Sequence, residues 1–272
     1  MGTREGQLYL RWVKCIQCEL IYLDPRPSQH ALSALYDSQG YWQGEAGYKD
    51  YLDEEVWRGR QARDRAHWFI TKLQKHLKHE APQVLELGSA AGFFLQELAA
   101  RGVSAHGLDI SKPMVHLADH RTKGNVQITQ GSVEESNFPP NNFQGMAAWG
   151  CDSNFHDPKS AFLRFQKWLC IGGLLTFNFH DYTHRANFLK GRFKLMPNAL
   201  YFLSRKHIED LLQQNNFEIL SLHTEYSWMN LASIYHHTGH KWLKPIAKTS
   251  WARVPIKLPI PGSYRVLARK TL

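Results

Sequence analysis

Val84-Leu85-Glu86-Leu87-Gly88-Ser89-Ala90-Ala91-Gly92-Phe93-Phe94 is the stretch that decides the fold. An apolar run of strand character enters a turn of small residues, and a helix leaves it. Small residues let the backbone come close to a ligand, and the first turn of a helix offers N–H groups with no intrahelical partner. Ligands of open α/β sheets bind at such carboxyl ends of strands. The spacing differs from the dinucleotide fingerprint G-x-G-x-x-G: Gly88 is followed by Ala90, and Phe93 holds the third glycine position. Glu86 separates the ligands further. A carboxylate at the strand end repels a pyrophosphate but attracts an ammonium.

Outward from this turn the chain has a regular rhythm. Strands are expected at 83–87, 103–108, 125–129, 143–149 and 172–179, with helices at 91–101, 112–120 and 159–169. Strands separated by helices of this length imply parallel crossovers and a doubly wound α/β sheet covered on both faces. A helix at 204–214, a strand at 217–223, a long irregular insert and a strand at 264–270 follow. The inserts 180–203 and 225–262 are of a length usually tied to function. The chain is read as an N-terminal cap, 1–80, and a ligand-binding domain, 81–272. In the cap a strand-like RWVKCIQCELIYLDP runs into a proline-rich turn, and Ser28 is the expected N-cap of a helix at 29–37. A segment rich in tyrosine, tryptophan and glycine comes next. Then a helix is expected at 54–78, with Val56, Phe69, Ile70, Leu73 and Leu77 on its apolar face.

The second strand ends in Gly107-Leu108-Asp109-Ile110. An acid here can accept hydrogen bonds from both hydroxyls of a ribose, a role shared with dinucleotide binders, and it is equally placed to cap the helix near Ser111. The pattern E-x-G-x-A-x-G resembles motif I of class I S-adenosylmethionine-dependent methyltransferases, with Ala90 in place of the middle glycine. The resemblance continues through Gly131-Ser132-Val133-Glu134, Asn142-Phe143-Gln144 and the run from Trp149 through His156-Asp157-Pro158 to Gly172-Gly173. The head, Cys15-x-x-Cys18 followed by Asp24-Pro25-Arg26-Pro27, is similar to the zinc-ribbon leader of a bacterial small-molecule group.

The resemblance implies a Rossmann-like sheet of seven strands, mainly parallel with the last antiparallel. It also implies S-adenosylmethionine as cofactor, with S-adenosylhomocysteine as product. Glu86 would take the ammonium and Asp109, beside Ile110, the ribose. Gly88, Ser89, Ala90, Gly92 and Phe93 would form the turn, while Ser132 and Val133 would meet the adenine. Trp149 and Tyr41 would complete the pocket, Tyr41 from a segment that folds over the cofactor in similar proteins.

Methyl transfer requires in-line alignment, and proton removal where the acceptor is a hydroxyl or an acidic carbon. The expected general bases lie at the ends of the fourth and fifth strands: His180, His156 and Asp181. Phe188, Phe193, Tyr201, Phe202, Tyr226, Trp228, Tyr235 and Trp242 in the inserts suggest a hydrophobic or aromatic small-molecule acceptor.

Hydrophobic residues make up 43% of the 272 and charged residues 21%, as in an ordinary folded protein. No apolar run approaches the roughly 20 residues of a membrane span. The first residues lack the apolar core of a secretory signal, so a cytoplasmic setting is expected. Four cysteines are too few for a disulfide framework. Cys15 and Cys18 are half of a tetrahedral zinc site with no second pair, so no metal is expected there. His236-His237-x-x-His240 lacks a carboxylate in metal-ligand spacing.

The formal charge of +9 is spread in small clusters such as 72–79 and 240–248. It leaves peripheral contact with an anionic membrane open, and no nucleic-acid partner is expected. Two other readings stay open. One is a non-catalytic binding module on the same fold; the other is a nucleic-acid methyltransferase, against which Gly150-Cys151-Asp152-Ser153 stands where an N/D-P-P-Y/F motif would be.

Overall fold

The computed structural model describes residues 10–43, 51–52, 54–77, 81–185, 199–230, 249 and 254–272. The head is a hairpin of β1 (Arg11–Lys14) and β2 (Ile21–Asp24), followed by α1 (Gln29–Asp37), α2 (Gln39–Trp42) and α3 (Glu55–His76). Ser28 caps α1 by accepting the Ala31 N–H at 3.2 Å. After it come β3 (Gln83–Leu87), α4 (Phe93–Ala99), β4 (Ser104–Asp109), α5 (Lys112–Thr122), β5 (Gln127–Gln130) and β6 (Phe143–Ala148). The chain continues through α6 (Pro158–Trp168), β7 (Leu169–His180), β8 (Tyr201–Phe202), α7 (Arg205–Gln214), β9 (Phe217–Met229) and β10 (Ile256–Lys270).

Seven strands form one sheet in the order β5-β4-β3-β6-β7-β10-β9. β10 is antiparallel to β7 and to β9, whereas the pairs among β3 to β7 are parallel. The expected doubly wound sheet with one reversed strand is therefore present. Strand order reverses between β3 and β6, so the loops after these two strands part and leave a crevice at their carboxyl ends. Val84, Leu85 and Leu87 are fully buried in β3, as a strand covered on both faces requires. α3 lays Ala62, Ala66, Phe69 and Leu73 on one face of the sheet, and α6 lays Phe162, Phe165 and Trp168 on the other.

Several expectations need correction. Val56 is exposed and adds nothing to the apolar face of α3, because that face begins only at Gln61 and Ala62. The irregular insert expected from 225 is strand for its first residues: β9 runs to Met229 and pairs with β10 from Ile256, with a break between Pro259 and Tyr264. The run Glu225-Tyr226-Ser227-Trp228 looks like a loop because its buried face is charged; Glu225 is only 2% exposed. The insert from 180 returns to the head, where Tyr201 and Phe202 pair with Tyr22 and Ile21. Leu23 and Leu32 of the head share a buried cluster with Phe165 of the sheet domain. Phe188, Phe193, Tyr235, Trp242, His236, His237, His240 and the cluster 240–248 lie outside the described residues.

Candidate functional site

The turn after β3 is built by hydrogen bonds to β4. Gly88 and Ser89 donate their N–H groups to the Leu108 carbonyl at 2.8 and 3.2 Å. Gly88, Ala90 and Gly92 all have positive φ, at 67°, 43° and 75°. For Ala90 this conformation carries a steric cost of about 1–2 kcal/mol. It is offset by the Ala90 N–H, which donates to Asp109 Oδ2 at 2.7 Å. Asp109 Oδ1 accepts from the Ser111 N–H at 2.8 Å. Each oxygen of this buried carboxylate therefore keeps capacity for one more donor, so the capping role and a ribose-binding role coexist. Burial pushes the Asp109 carboxyl up to about 6, against the two backbone N–H bonds that favour its ionised form.

Above the turn lies a cavity of about 330 Å³. Its floor is Glu86, Gly88, Ser89, Ala90, Asp109, Ile110, Ser132, Val133, Trp149 and Cys151. Glu86 is 4% exposed, and its Oε2 has no protein partner. Burial drives its carboxyl well above the ordinary range, with Arg65 acting in the opposite direction. The roof comes from the head. Tyr36, Tyr41, Trp42 and Tyr51 interlock edge to face, with successive centroids 4.7, 4.8 and 5.1 Å apart. α3 supplies Arg58, Gln61, Ala62 and Arg65. Gln29 of α1 closes one side by donating to Ser132 Oγ and Glu134 Oε2, both at 3.1 Å.

All but one of the expected cofactor residues line this cavity, Tyr41 and Phe93 included. Gly92 does not. It packs α4 against α5, where an added Cβ would meet Ala118 Cβ at 2.8 Å. The three expected bases stand outside the wall. His156 Nε2 is 3.1 Å from the Pro27 carbonyl. His180 ends β7 beside Gly262, and its N–H donates to Asp152 Oδ2 at 3.3 Å. Asp181 Oδ1 accepts from the Thr183 N–H and hydroxyl at 2.9 and 2.6 Å.

The insert aromatics that are described also lie elsewhere. Tyr201 is core, Phe202 packs on Trp12, Tyr226 is exposed, and Trp228 donates to Asp64 at 2.8 Å. The reading of the sequence missed Gln29, Tyr36, Arg58, Gln61, Arg65 and Asn154. A signal for part of this set exists, because 58, 61, 62 and 65 recur at i, i+3, i+4 and i+7, one face of a helix.

Among the described residues no three His, Cys, Asp or Glu side chains group as a metal site. Cys15 and Cys18 are free thiols in a hairpin held by Arg11–Asp24 at 3.0 Å and Lys14–Glu19 at 2.6 Å.

A family model described as "Methyltransferase domain" matches residues 56–222. A phosphoethanolamine N-methyltransferase of Plasmodium falciparum (isolate 3D7) is 25% identical over 172 residues, 60% of this chain and 64% of that protein. The chain thus spans just under two thirds of the length of this curated relative. Among solved structures, a chain in the complex of the Haloferax volcanii Trm112 methyltransferase activator with a methyltransferase aligns over 89% of this chain and 98% of its own length, with TM-score 0.59 and 14% identity. An S-adenosylmethionine-dependent methyltransferase of Thermotoga maritima aligns over 81% and 96%, with TM-score 0.52 and 18% identity. At these identities the two structures speak for the fold alone.

Proposed function

Because this chain belongs to the class I S-adenosylmethionine-dependent methyltransferase superfamily, we propose that it transfers a methyl group from that cofactor to an oxygen, nitrogen or carbon nucleophile of a small molecule. One observation carries the reading. A single cavity holds a buried carboxylate with an unpartnered oxygen, Glu86, and a second buried carboxylate with spare acceptor capacity, Asp109. These acceptors fit an ammonium and a ribose, and Gly88 lets the turn between them pack closely on Cys151: an added Cβ there would meet Cys151 Sγ at 3.3 Å. The bound cofactor supplies an already activated methyl on a positively charged sulfur.

The chain's own part is then to align and to dry the site. Tyr36, Tyr41, Trp42 and Tyr51 cover the cavity, and Phe155 and Asn154 line it beside Cys151. Holding two reactants in line can contribute roughly 7–11 kcal/mol toward the barrier. Among the described residues, the aromatic side chains that line the cavity come from the head, α3, α4 and the segment after β6, which is in keeping with an aromatic or hydrophobic acceptor. The curated relative's name, an N-methyltransferase of phosphoethanolamine, is in keeping with a small polar acceptor. The proposed compartment is the cytoplasm, in keeping with four free cysteines.

Calorimetry with S-adenosylmethionine and S-adenosylhomocysteine tests the reading, followed by radiolabelled methyl transfer to a panel of small amines, alcohols and phenols. Absence of binding at millimolar ligand rejects the enzyme reading. Binding without transfer to any acceptor favours the binding module.

A further inference from the structure

Resting on that cofactor reading, we propose that Trp149 and Arg65 form the receptor for the cofactor's α-carboxylate, and that Glu225 is the positioning residue that sets Arg65. Among the buried side-chain atoms of the cavity wall that lack a protein partner are Glu86 Oε2, an acceptor, and Trp149 Nε1, a donor. They belong to neighbouring strand ends. Glu86 pairs with Ala147 and Leu87 with Ala148 in parallel register, and Trp149 follows directly. Burying a donor and an acceptor with nothing to satisfy either is costly. Both costs vanish for a ligand that carries an ammonium and a carboxylate on one carbon, the α-amino-acid end of the cofactor.

The surrounding charge matches that end. Arg65, from α3, lines the cavity, and its guanidinium carbon lies 4.5 Å from the Trp149 ring centroid. This cation does not rest on the wall by chance. Glu225 Oε1 accepts from Arg65 Nη2 at 2.9 Å and Nε at 3.3 Å, and Glu225 Oε2 accepts from Arg265 Nε at 2.7 Å. Gln61 Nε2 donates to the same Oε1 at 3.3 Å. Glu225 thus engages two of the three guanidinium nitrogens, leaving Nη1 as the group not bonded to it. The ammonium end falls to Glu86 and the carboxylate end to Trp149 and Arg65. The last hairpin of the sheet, through Glu225, fixes the geometry of a pocket formed by the first helices.

The experiment compares S-adenosylmethionine with decarboxylated S-adenosylmethionine, which keeps the ammonium and lacks the carboxylate, by calorimetry on the full chain. The wild-type protein should prefer the carboxylated compound by about thirtyfold or more, the size of a hydrogen-bonded charge. Trp149→Phe and Arg65→Gln should each lose about tenfold for S-adenosylmethionine and stay within about twofold for the decarboxylated compound. Glu225→Gln should narrow the same ratio, an effect that a merely structural role would not produce. Equal wild-type affinity for the two compounds overturns the receptor and leaves the methyltransferase reading intact. Failure of both to bind overturns the two together. A wild-type preference that Trp149→Phe and Arg65→Gln leave untouched assigns the carboxylate to other residues and overturns the proposal. Equal wild-type affinities overturn the proposal even where a variant does not fold, and Arg65→Lys, which keeps the charge and should keep most of the preference, serves where Arg65→Gln does not fold.

Discussion

The Ala90 N–H donates to Asp109 Oδ2 across 2.7 Å, so one carboxylate at the end of β4 both shapes the turn after β3 and faces the cavity. Turn geometry and ligand affinity are therefore linked through a single side chain. Asp109→Ala should weaken S-adenosylmethionine binding by about tenfold or more, the worth of a charged hydrogen bond. Calorimetry reads this directly. Unchanged affinity would show that the ribose is held elsewhere.

The two glycines of the turn should fail differently. Gly88→Val places its side chain toward Cys151 inside the cavity, so cofactor binding should vanish while the circular dichroism spectrum persists, although its φ of +67° also costs stability. Gly92→Ala instead drives a Cβ to 3.0 Å from the Ala118 backbone at a φ of +75°, so it should destabilise the fold. The expected loss is about 1–3 kcal/mol, from overpacking and a left-handed backbone. Calorimetry and urea unfolding compare the pair; a folded Gly88→Val that still binds the cofactor, or a Gly92→Ala of wild-type stability, would contradict the assignment.

Asp152 gives a pH test with a defined sign. Burial lifts its carboxyl from the ordinary 3.8 to about 6, against hydrogen bonds from the His180, Asp152 and Ser153 backbone. Between these values the folded chain holds a proton that the unfolded chain has released. The contribution to unfolding free energy therefore falls as pH rises through the window and is flat above about 6. Asp152→Asn never ionises, so it should gain on the wild type between pH 4.5 and 7.5, by on the order of 2 kcal/mol. Asp109, also held at about 6, is common to both proteins and cancels in the difference. A pH-independent difference would count against the buried, ionising carboxyl.

His180 lies outside the cavity wall, at the junction of β7 with Gly262. His180→Ala should keep kcat within about threefold of wild type, against the 10²–10⁴-fold that a general base contributes. A loss of that larger size, with S-adenosylmethionine affinity unchanged, would make His180 a base after all.

The Cys15–Cys18 hairpin should be indifferent to chelators. Its bracing is organic: Tyr182 Oη donates to the Glu19 carbonyl at 2.9 Å, and His207 Nε2 lies 2.6 Å from the Cys18 carbonyl. Tm should be the same with and without a strong zinc chelator, and Cys15→Ser should fold. A drop in Tm on chelation would reveal a metal.

The sheet and the cofactor floor were legible because their signals are local. The 83–94 stretch carries its own strand, turn and helix start, and Asp109 announces itself one strand later. Helix 29–37 was readable from Ser28, a cap whose hydrogen bond spans three residues. The roof was harder to see. Arg65 matters because Glu225 lies 160 positions away in the chain and 2.9 Å away in space. A charged residue in a strand reads as loop until its ion partners are known, which is why β9 proved longer than its hydropathy implied.

The sequence by itself determined the order of strands and helices in the sheet domain and the chemistry of the turn with its two acids, while the reversed last strand was implied by the family resemblance. Period and motif spacing are properties of neighbouring residues. Only the tertiary structure decided what closes over that turn. It brought an aromatic roof and a guanidinium from the head onto the floor, braced by a glutamate from the far edge of the sheet. It also left the three expected bases outside the wall, because the contacts that place a side chain in a cavity are made by residues far apart in the chain.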